Sequence, residues 1–118
     1  MTAPQEEVVR PVAPAGPTST ELVAGWMGKA ADDRLETATA AVNRVIRRWL
    51  PVPAAGQPWP EDHELGARLL VARVRGRAET PGGVAAAITE AGIAYTARTD
   101  PEVAMLLGIG AYALPVVG

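Results

Sequence analysis

The stretch DDRLETATAAVNRVIRRWL, Asp32 to Leu50, constrains this chain more than any other. Leu35, Ala38, Val42, Val45 and Trp49 recur at steps of three and four, and Ile46 and Leu50 widen the stripe. That spacing returns to one side of an α-helix and to neither face of a strand, so it predicts an amphipathic helix that must bury one side. Asp32 and Asp33 stand at the positive end of its dipole, and Arg44, Arg47 and Arg48 near the negative end. Pro51 and Pro53 stop it, because proline lacks the amide that a continuing helix needs.

The segments around it must supply the surface that this stripe packs on. TSTELVAGWMG predicts a short helix, capped by Ser19 or Thr18, with Leu22, Val23 and Trp26 on one face and Gly28 as its stop. PVPAAGQPWP reads as a rigid loop, with Pro60 opening the next helix. That helix carries Glu61, Asp62 and Glu64 in its first turn and Arg73, Arg75 and Arg77 in its last. Leu65, Leu69 and Ala72 make one apolar stripe and Leu70, Val71 and Val74 a second. A helix apolar on two sides is either central in its own domain or pressed between subunits. The expected subunit interface is Leu70, Val71 and Val74 with Arg68 and Arg75.

TPGGV, Thr80 to Val84, predicts a tight turn. Val84 to Ala91 is alanine-rich and leans to helix by propensity, whereas Ile93 to Thr99 alternates and is rich in Thr and Tyr. With Gly92 in the connection, the expectation is a short β-hairpin. If 84–89 is helical instead, a strand at 93–99 must pair with another chain. A last short helix follows, capped by Asp100 with Pro101 at its first position, or by a Thr99–Glu102 capping box, and stopped by Gly108. The fold class is therefore mainly α: a small bundle of about four helices with a hairpin or strand. Residues 18–108 form the helical domain between a Pro-rich extended arm, 1–17, and an apolar tail, 109–118.

Composition removes several kinds of chemistry. The chain has no cysteine and one histidine, so thiolate nucleophiles, disulfides and Cys-based zinc sites have no ligands. His63 lies in EDHE, whose side chains point around most of a helical turn and do not converge on a metal. PGG lacks the Lys and Ser/Thr of a phosphate loop. No catalytic residue, metal or cofactor is expected. A net charge of −2 argues against general nucleic-acid binding, although Arg44, Arg47, Arg48, Arg68, Arg73, Arg75 and Arg77 could touch a DNA backbone. The start MTAPQEE has neither the basic residues nor the apolar run of a signal peptide, and no run approaches a membrane helix, so a soluble, cytoplasmically made protein is expected. From Val103 to Gly118 no side chain is charged. Ile109, Tyr112, Leu114, Val116 and Val117 either fold back on the core or dock on a partner.

The order of these features resembles the head–tail connector (adaptor) proteins of long-tailed double-stranded DNA phages, especially those of actinobacterial hosts. The likeness runs from ELVAGWMG through DRLETATAAVNRVIRRWLP and ARVRGRAETPGGV to TARTDPEV and AMLLG, about 19–108. Its most specific parts are TPGGV and RTDPEVAMLLG. The resemblance implies a non-catalytic virion protein of the phage neck. About twelve copies would form a ring beneath the portal protein, extend the DNA channel without sequence-specific binding, and offer a platform to a stopper or tail terminator. It also implies that Gly108 to Gly118, with Ile109, Tyr112, Leu114, Val116 and Val117, is the portal-docking tail. The Pro-rich arm and AAAITEAG depart from the family pattern. A small helical DNA-binding or regulatory domain, and a different neck protein such as a stopper or head-completion factor, are the competing expectations.

Overall fold

The computed structural model describes residues 10–78 and 87–110, with the side chain of Ala78 left aside. Among the described residues five helices follow in order: α1 (Thr20–Met27), α2 (Asp33–Trp49), α3 (Glu61–Ala78), α4 (Glu90–Thr99) and α5 (Pro101–Leu107). Among the described residues there is no strand, only one antiparallel bridge between Val12 and Pro58.

The helix boundaries follow local chemistry. Ser19 caps α1 by accepting from the Leu22 amide, and Asp32 caps α2 by accepting from the Leu35 amide. Asp100 caps α5 by accepting from the amides of Glu102 and Val103, with Pro101 in the first turn. Of the two capping arrangements open for this helix, the Asp100 cap is the one formed. Gly28 and Gly108 both end their helices in the left-handed region, at φ 68° and 65°.

α3 is the central helix and packs against each of the other four. This explains its two apolar sides. Leu69 is almost buried, and Leu70, Val71 and Val74 are completely so, within one core that also holds Val23, Leu35, Val42, Val45, Ile46, Trp59, Ile93, Val103 and Leu107. Of the two explanations for a doubly apolar helix, a central place within the protomer accounts for it. α5 runs back along α3: its first end is tied by Asp100 to Arg73 at 2.8 Å, and its last residue, Leu107, lies over Gly66.

The hairpin expectation is corrected. Residues 90–99 are helical, with Thr89 as the cap accepting from the Gly92 amide at 3.0 Å. Ile93, Thr96 and Ala97 face inward at helical spacing and are buried, while Tyr95 is exposed. Alternation of Ile93, Tyr95 and Ala97 imitated a strand because the buried side of a short helix includes two residues four apart. Gly92 lies in the first turn of a helix, not in a hairpin loop. Of the first half of the expected hairpin, 84–86 lie outside the described residues, as does the TPGGV turn, and 87–89 form no strand.

Residues 10–18 are laid along the body as a strap. Ala13 donates to the Gln57 carbonyl at 2.9 Å and accepts from the Gly56 amide at 2.8 Å. The buried Trp59 donates its indole N–H to the Ala15 carbonyl at 2.6 Å. Asn43 on α2 holds both backbone groups of Thr18, donating to its carbonyl at 2.7 Å and accepting from its amide at 3.3 Å. Arg10 reaches Glu64 at 2.7 Å and the Trp59 carbonyl at 3.0 Å. The second half of the expected arm thus belongs to the packed domain.

Candidate functional site

The segment where α5 ends is built to fix a direction. The Gly108 amide donates to the Met105 carbonyl at 3.2 Å, and the Ile109 amide donates to the Ala104 carbonyl at 3.0 Å. This pair of bonds is the Schellman arrangement, which closes the last turn and sends the chain off the helix axis. Ile109 is half-buried and packs back on the core. Trp49, Arg98, Ile109 and Gly110 line a cavity of about 220 Å³ at this exit. The end of α2, the last turn of α4 and the exit from α5 therefore meet there. Of the expected docking residues, Ile109 is at the root of the tail; Tyr112, Leu114, Val116 and Val117 lie outside the described residues.

The expected subunit interface is divided by the structure. Leu70, Val71 and Val74 have no exposed surface, so they are corrected to core residues of the protomer. A side chain that already fills its own core has no area left for a neighbour. Arg75 turns inward and bonds Asp32 at 3.1 Å, with only 16% of its side chain exposed. Arg68 stays at the surface and lines a shallow depression of about 430 Å³ with Arg10, Glu61, Asp62, Glu64 and Leu65.

Most of the arginines on α3 serve the fold. Arg73 bonds Asp100, Arg75 bonds Asp32, and Arg77 bonds Thr96 Oγ1 while its guanidinium lies 4.7 Å from the Tyr95 ring centre. Arg48 pairs with Glu90 across an exposed 2.9 Å contact. Among the described residues Arg44, Arg47 and Arg98 are exposed and have no acidic partner.

The titrating groups are structural. The Asp100 carboxyl is held below the usual range chiefly by the Arg73 hydrogen bond; burial, the next-largest effect, opposes this, and the capped amides and the Arg73 charge add to the lowering. The Asp32 carboxyl is lowered first by the Leu35 amide and then by Arg75. Burial pushes His63 down, partly opposed by the charge of Asp62. Its ring centre is 6.4 Å from that of Trp59, and its Nδ1 is buried with no hydrogen-bond partner among the described residues. Among those residues no group of three or more His, Cys, Asp or Glu could hold a metal. None of the described helices is long and apolar enough to cross a membrane.

Sequence reasoning missed the cavity and the strap. The sequence pattern places Trp49 on a helical stripe and Trp59 in a loop, and points to neither contact. Arg98, which lines the cavity with Trp49, and Ala15, which accepts from Trp59, are distant in sequence, and no periodicity links them. No protein-family model, curated protein or solved structure matches the chain.

Proposed function

We propose that this chain is a non-catalytic structural subunit of a phage neck: a head–tail connector that forms a ring of about twelve copies beneath the portal protein and lengthens the DNA channel. The reading rests on the order of features shared with that family. The observation that carries it is the exit from α5. RTDPEVAMLLG, the most specific stretch of the resemblance, is a capped helix locked onto the central α3 and closed by a Schellman glycine. An uncharged, apolar sequence follows it. A rigid domain with an apolar tail leaving from a fixed point suits insertion into a partner ring, where strand addition would satisfy the tail amides while alternate side chains fill pockets. In this reading the partners are other copies of the chain, the portal, and a stopper or tail terminator, and the protein is assembled in the host cytoplasm into the virion.

A second reading has one observation in its favour. Arg44, Arg47 and Arg98 lack acidic partners, as phosphate-contacting residues of a small DNA-binding domain would.

Light scattering on the purified chain, alone and mixed with its cognate portal, separates the two. A ring-sized species or a portal complex supports the connector. A monomer that ignores portal and shifts a DNA probe with steep salt dependence would sink it. Deleting 109–118 is expected to leave the helical domain folded and to abolish head–tail joining while filled heads accumulate. Normal tailed particles from that deletion refute the docking role. A map of the virion neck fixes whether the chain occupies the adaptor or the stopper level.

A further inference from the structure

We infer that the cavity at the exit from α5 is one half of a contact between copies of this chain, and that the other half is the start of α3 on the next copy. The inference rests on the ring reading and names the two surfaces that close the ring.

The cavity is apolar on one side and cationic on the other. Trp49 and Ile109 supply half-buried apolar surface, and Arg98 supplies an exposed guanidinium without an acidic partner among the described residues. The last turns of α2 add Arg44, Arg47 and Arg48 at the same end of that helix. Only Arg48 has a carboxylate, Glu90, and that pair is exposed on both sides. A surface of this kind takes an apolar side chain flanked by carboxylates.

The chain itself presents such a surface. Leu65 is an exposed apolar side chain, 37% accessible, on α3. Glu61 and Asp62 lie one turn before it, at the helical spacings of four and three that put them on its side of the helix. The depression around them also contains Arg10 and Arg68. Arg10 bonds Glu64 at 2.7 Å and also feels the charge of Glu61, and Arg68 lines the same depression, so its three carboxylates exceed its two guanidiniums by one negative charge. The two surfaces share no residue. They are complementary to each other and not to themselves, so the contact runs head to tail. A head-to-tail contact closes into a ring when its rotation allows and does not stop at a two-fold dimer. A nucleic-acid phosphate would satisfy Arg98 but leave Trp49, Ile109 and Leu65 uncovered, so a second copy fits the whole surface better.

Charge reversal followed by mixing tests this. Arg98→Glu on one preparation, and Glu61→Arg with Asp62→Arg on another, change exposed side chains. Each also reverses a charge that complements a helix dipole, so each is expected to lower the melting temperature modestly and, beyond that, to weaken self-association about tenfold or more, as like charges are brought together. Mixed, the two variants are expected to associate with each other. Leu65→Ala should weaken assembly without any charge change. Sedimentation velocity, alone and on the cognate portal, reads all four. Reversal variants that assemble like the wild type overturn this contact while leaving the ring reading in place. A wild-type chain that stays monomeric even with portal removes the ring reading and the contact together. Salt-sensitive binding of a DNA duplex that is lost in Arg98→Glu but kept in the Glu61/Asp62 reversal assigns the cavity to nucleic acid and overturns the proposal.

Discussion

Gly66 on α3 lies so close to Leu107 on α5 that a Cβ at position 66 would stand 2.8 Å from Leu107 Cδ2 and 3.0 Å from its Cγ. It would also meet Leu106 Cβ at 3.1 Å. The missing side chain is what allows α5 to lie on the central helix, and so it sets where the chain leaves at Gly108.

Two opposing effects meet in Gly66→Ala. Alanine is the better helix former by about 1 kcal/mol. Forcing a methyl into a filled contact costs about 1–3 kcal/mol. Overpacking is expected to win, lowering the melting temperature, and Gly66→Val should lower it further. Gly76 lies on the same helix, and a Cβ there would meet nothing within 4 Å among the described residues. Gly76→Ala should therefore stabilise by about 0.5–1 kcal/mol. Thermal melts of the three variants check the argument, and a Gly66→Ala that gains as much as Gly76→Ala would contradict the close approach.

Asn43 is expected to be the residue on which attachment of the strap most depends. Its amide satisfies both backbone groups of the buried Thr18, and a Cβ on Gly16 would collide with its side chain. Asn43→Ala leaves a buried amide and carbonyl unpaired, at about 1–3 kcal/mol for each unsatisfied group. Protease cleavage within 10–18 should accelerate in that variant under native conditions, before global unfolding. Cleavage at the wild-type rate would mean that the strap is held elsewhere.

Trp59 tests the strap from the other side. It is 1% exposed and its indole N–H bonds the Ala15 carbonyl. Trp59→Phe loses that hydrogen bond and part of the buried ring volume, at about 1–3 kcal/mol. Trp59→Ala opens a cavity as well, at about 3–5 kcal/mol. Urea melts should rank the two in that order, and equal losses would mean that the hydrogen bond, not the packing, dominates.

The helices were legible where a cap, a stripe and a stop agreed. α2 has Asp32, its stepped apolar residues and Pro51, and α5 has Asp100, Pro101 and Gly108; local rules sufficed for both. α4 failed because its stripe is short. Over Ile93 to Thr99 a period of two and a period of 3.6 fit nearly the same residues, and only the Thr89 cap distinguishes them. The two apolar sides of α3 were visible, but whether they faced other helices or other subunits depends on packing. The strap and the exit cavity rest on pairings such as Trp59 with Ala15, 44 residues apart, and such pairings leave no local pattern.

Acid should act on this fold in two steps of different origin. His63 has a lowered pKa in the fold, so the unfolded chain binds its proton first. Stability is then full above the ordinary value of about 6.5, and falls as pH drops through it towards the lowered folded value. Asp100 and Asp32 are also lowered, but they are anionic at neutral pH. Their stabilisation is present above the ordinary carboxylate value of about 3.9 and is lost as pH falls through their lower folded values. His63→Gln should flatten the melting temperature between about pH 7 and 5 while leaving the deeper acid limb intact. Asp100→Asn should do the reverse: it is less stable than the wild type at pH 7, and the gap closes once the wild-type carboxyl is protonated. Melting temperatures across the two ranges check both signs, and an acid limb unchanged at every pH in Asp100→Asn would show that its bond to Arg73 adds no stability.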